Sequence, residues 1–79
     1  MIPVFTTDSV PIYGAQPVTG AWPVWAESDD AGRAIDQLAR QSAAQGAHAV
    51  IGLRLSTFSS EHRMDKYVVM GTAVTMADA

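Results

Sequence analysis

The chain has no cysteine among its 79 residues, which excludes disulfides and thiolate metal sites outright. Charge is scarce as well: only 16% of residues are charged, against 48% hydrophobic. The five Lys and Arg residues are scattered and the net charge is −3. Nucleic-acid binding normally leaves a basic patch, so no nucleic-acid partner is expected. No apolar run approaches a membrane span, and MIPVFTTDSV lacks the basic start of a secretory signal. The expectation is a cytoplasmic protein with no membrane partner. A single domain this small sits near the lower limit for an independent core, and without disulfides it needs tight packing or assembly. The low charged fraction favours assembly into a homo-oligomer.

The firmest local signal is a helix over residues 28–46. Ser28 suits the N-cap, with Asp29 and Asp30 in the first turn, where acidic groups complement the helix dipole. Ala31, Ala34, Ile35, Leu38, Ala39 and Ala43 then recur at helical spacing. Asp36 and Arg40 form an acid-before-base pair four residues apart, as do Asp29 and Arg33. Gly46 fits the left-handed position that ends helices.

Residues 47–58 switch to period two. Ala49, Ile51, Leu53 and Leu55 alternate with His48, Val50, Gly52, Arg54 and Ser56. After the polar stretch SSEHRMDK, residues 67–76 form a last strand that is apolar on both faces. Val68, Met70, Val74 and Met76 share one face; Tyr67, Val69 and Ala73 share the other. One helix covers one face, so the N-terminal arm or a neighbouring subunit must cover the second. Gly52 and Gly71 fall inside the two strands, where they could lie near one another and admit a close contact.

Toward the N-terminus, residues 2–6 read as a short strand that Pro3 restricts to an edge or to its first residues, followed by a turn between Pro11 and Gly14. Residues 15–26 are extended edge or arm structure, because Pro17 and Pro23 bar them from a central strand. The sum is one domain spanning 1–79: an α+β, two-layer β-α-β-β sandwich with an antiparallel sheet, one helix and extended N-terminal strands. The Ala31, Ile35 and Leu38 stripe is expected to pack on Ile51, Leu53 and Leu55.

Gly46-Ala47-His48-Ala49-Val50, Ile51-Gly52-Leu53-Arg54 and Gly71-Thr72-Ala73-Val74 carry a family resemblance. They resemble the YbjQ-like family, labelled heavy-metal-binding, in which a helix ends in Gly-Ala-x-Ala and the last strand carries GTAV. The resemblance covers residues 31–75; Thr6-Thr7-Asp8 and Pro11-x-Tyr13 match the family's opening strand and turn more loosely. It implies a subunit similar to that of dodecin, assembled into a ring, commonly a pentamer. The family usually has a small or acidic residue where His48 stands, so no functional residue is carried over.

Glu61, His62 and Asp65 form the local cluster of metal-capable side chains, with His48 a candidate fourth ligand for a divalent ion. The plainer reading is a solvated hairpin loop flanked by the cations Arg63 and Lys66. His48 sits at the helix-to-strand junction, where capping the last helical carbonyls is its simpler role. Trp22 and Trp25 either line a pocket for a flat cofactor or anchor the arm in a neighbouring subunit, and the anchor is preferred. Arg54 is expected to bridge to Asp36, Glu27 or Asp65 across an interface. No elbow, P-loop or HExxH pattern is present, so an enzyme is not expected.

Overall fold

A computed structural model describes residues 2–8, 18–59 and 65–77; of Phe58, Ser59 and Asp65 it describes the backbone alone. The elements run β1 (Val18–Ser28), α1 (Ala31–Ala44), β2 (Ala49–Ser59) and β3 (Asp65–Met76). The sheet is antiparallel in the order β1-β3-β2, which places the last strand in the centre. The α+β sandwich expected from the sequence is therefore present. The turn between Pro11 and Gly14 lies outside the described residues.

The helix starts two residues later than the acidic pattern suggested. Asp30, not Ser28, is the N-cap: its carboxylate accepts from the Arg33 amide at 2.9 Å, in extended backbone geometry. Ser28 instead accepts from the Asp30 amide at 3.3 Å, steering the chain into that cap. Asp29 thus stands outside the helix, while Asp36 and Arg40 close at 2.8 Å on its surface. At the far end the Ala47 amide reaches the Ser42 carbonyl at 3.0 Å, and the Gly46 amide reaches that of Ala43 at 3.0 Å. Gly46 adopts φ +93°, a geometry that closes the helix with two backbone bonds and needs no Cβ. The buried Ser42 hydroxyl is satisfied by the Leu38 carbonyl at 2.8 Å.

Residues 18–28 are an edge strand rather than a loose arm, paired along their length with β3. The edge position tolerates Pro23, which has no amide hydrogen to donate. Residues 2–8 line the opposite edge. They lie along β2 in parallel, bridged at Val4 and Val50. Val50 exchanges bonds with the Pro3 carbonyl (3.0 Å) and the Phe5 amide (2.8 Å), and the Gly52 amide reaches the Thr7 carbonyl at 2.7 Å.

The core between helix and sheet is made of Ala34 and Leu38 from α1, Val24 and Ala26 from β1, Val50 from β2, and Val69 and Ala73 from β3. Ile35 and Leu53 border it half-buried. The stripe expected from the sequence is thus shifted, for a definite reason. Pairing between β2 and β3 slips between Ile51 and Arg54, and Gly52 at that slip has φ +64°. This is a β-bulge with glycine in the left-handed position, and the extra residue reverses the facing of everything after it. Ile51 consequently packs on the sheet face away from the helix. Leu55, registered against Val69, lies beyond the core and is 48% exposed. Gly71 stands opposite the bulge. A Cβ there would meet Val50 Cγ1 at 2.8 Å and the Ile51 carbonyl oxygen at 3.2 Å, so the two strand glycines do admit one close approach.

Candidate functional site

Below the sheet, on the face turned away from α1, the surface divides into two halves. In one, Ala49, Val74 and Met76 are buried with Phe5 and Ile51 packed against them. The cover comes from the N-terminal segment, through Phe5. In the other half, Trp25 of β1, Met70 of β3 and Arg54 of β2 form one row of directly registered partners. Trp25 is 65% exposed and Met70 52% exposed. A shallow depression of about 320 Å³ lies along this row, with Gly52, Gly71 and Thr72 as further lining.

Trp25 also borders a second depression of about 430 Å³, between the middle of β1 and the end of α1 at Gln41, Ala44 and Gln45. The indole therefore sits where the outer edge of β1 separates two concavities. Among the described residues, no other strand pairs with that edge.

Trp22 occupies the opposite face of β1. It is half-buried against the helix-side core, and its indole N–H donates to Gln45 Oε1 at 2.6 Å. A pocket formed jointly by Trp22 and Trp25 is therefore corrected: three residues apart on a strand, they point to opposite faces. Trp22 fastens β1 to the helix end, and Trp25 alone is available from outside.

Within the chain, Arg54 holds the N-terminal segment. Its guanidinium donates to the Thr6 carbonyl at 3.1 Å and to its neighbour Leu53 at 2.9 Å, with Asp8 at 3.9 Å. The Asp8 contact is exposed on both sides, so it adds little by itself.

His48 does not cap helical carbonyls, because the backbone amides of residues 45–47 already do so. Its own amide donates to the Val74 carbonyl at 2.8 Å, and its Nδ1 accepts from the Met76 amide at 2.9 Å. The residue thus clasps the end of β3 from both backbone and side chain. Sequence reasoning missed this partner, since only the register of β3 brings Met76 to His48.

Glu61 and His62 lie outside the described residues, and of Asp65 only its place at the start of β3 is described. Among the described residues, no three His, Asp or Glu side chains come together as a metal group. Nor is any described helix long and apolar enough to cross a membrane.

A small two-layer α+β domain with one bare apolar row is what the fold and this surface define. Residues 27–77 match the YbjQ family, described as "putative heavy-metal-binding", and the chain belongs to that family. No curated protein matches the sequence. The chain has no cysteine to offer as a soft thiolate ligand, and the lone pair of His48 Nδ1 is already taken by a backbone amide.

Proposed function

We propose that the protein is a non-enzymatic, self-associating domain whose copies meet over the bare row of Trp25 and Met70 and close into a ring, a pentamer by the family resemblance. The observation that carries this is the exposure of two large apolar side chains in direct cross-strand register, beside a half of the same face in which Ala49, Val74 and Met76 are buried. A second copy of this chain suits the patch because the row has a single charge, Arg54, already bonded within its own chain. A specific interface needs about 800 Å² per partner, more than these two side chains offer. The contact would therefore extend along the unpaired edge of β1, and a head-to-tail contact of that kind gives a ring when its rotation closes on itself.

Sedimentation velocity tests the proposal. The native chain is expected to sediment as a multimer, and Trp25→Ser as a monomer with unchanged far-UV dichroism. A native chain that stays monomeric across accessible concentrations would overturn it.

Membership of a family described as heavy-metal-binding supports a second reading, a divalent-metal module. Its ligands would come from Glu61, His62 and Asp65. In that case His62→Ala abolishes zinc uptake, measured by equilibrium dialysis, while assembly persists; unchanged uptake sinks it.

A further inference from the structure

We infer that His48 is a structural acceptor that fixes the end of the central strand, and that it is withheld from metal coordination in the folded chain. A backbone N–H can only donate, so the 2.9 Å approach of the Met76 amide to Nδ1 requires a lone pair there. A neutral imidazole has one donor and one acceptor nitrogen, and its proton then resides on Nε2. Neither nitrogen is left with a free lone pair for a metal. Coordination through Nε2 would shift the proton onto Nδ1, where it would face the Met76 N–H head on. Coordination through Nδ1 would displace that N–H from its partner.

The losing side of that exchange is well buried. Met76 is 3% exposed, so an amide stripped of its acceptor would stay unsatisfied and unfavourable. The hydrogen bond from the His48 amide to Val74 would be strained by the same movement, because both contacts hold strand residues 74–76 of β3. A metal-binding histidine usually donates its second nitrogen to a carbonyl or carboxylate, which raises its basicity. Here the second partner is a donor, the reverse of that arrangement. The histidine that stands in this chain's glycine-alanine turn is therefore explained by strand closure, and the family's metal description finds no ligand in it.

Long-range nitrogen–proton correlation spectra of the imidazoles test this directly, with zinc and cadmium as the probes. The expected result is the Nε2–H pattern for His48, unmoved by equimolar or excess metal. His48→Ala should raise Met76 amide exchange by about tenfold, the size of one buried hydrogen bond. His48→Asn, which keeps an acceptor near the Nδ1 position, should restore most of that protection. An Nδ1–H pattern, a metal-induced shift of the His48 nitrogens, or unchanged exchange in His48→Ala would each overturn the inference. None of these readouts depends on the oligomeric state, so the assembly proposal can fail without it.

Discussion

Met76 and Met70 lie on the same strand and the same face, six positions apart, and their surroundings are opposite. Met76 is packed with Ala49 and Val74 under Phe5, and is 3% exposed. Met70 stands between Trp25 and Arg54 and is 52% exposed. Among the described residues, the segment 2–8 covers the Met76 end of the strand through Phe5, which packs on Ala49, Val74 and Met76. One short extended segment therefore helps turn one part of an apolar sheet into core, while Trp25 and Met70 in the other part stay exposed.

Replacing each methionine by alanine is the sharpest way to test that contrast. Met76→Ala should lower unfolding free energy by about 3 kcal/mol, the usual penalty for a truncated core methionine. Met70→Ala should change it by no more than about 0.5 kcal/mol in denaturant melts of dilute protein, where association contributes nothing. Equal losses at both positions would erase the distinction between the two halves.

Phe5→Ala should expose the sealed half at a loss of about 2 kcal/mol, less than for a fully buried ring because Phe5 is half-buried. The seal would then resemble the bare half, and dye binding to exposed apolar surface should rise. A comparable loss of about 2 kcal/mol is expected for Gly71→Ala, because its Cβ overlaps Val50 at the bulge. The smallest effect belongs to Arg54→Ala. Its contacts to Thr6 and Asp8 are exposed, so about 0.5 kcal/mol is expected, with faster amide exchange at Gly52 as the finer readout.

The helix and the last strand were legible because their signals are local. Caps, 3.6-residue spacing and two-faced apolarity need no knowledge of the rest of the chain. The facing of β2 was not legible beyond Gly52, since Ile51, Leu53 and Leu55 continue an unbroken alternation through a bulge that reverses them. Glycine was the sole trace of it. Similarly, Trp25 was visible as an unusual residue, yet its pairing with Met70 depends on register, which no single strand encodes. The His48 clasp was hidden for the same reason. The metal candidates Glu61, His62 and Asp65 rested on residue type without spacing, and only the backbone position of Asp65 has been placed.

The central strand is also the last of the three in sequence. During synthesis β1 and β2 leave the ribosome first, and neither has its β3 partner until residues 65–76 follow. The helix can form early from local contacts, whereas the sheet must wait and then zip on both sides of one strand. A chain stopped at residue 64 should therefore show helical dichroism without a stable sheet. Its two would-be edge strands would be free to pair with those of a neighbouring nascent chain, a hazard that ends only when β3 inserts between them.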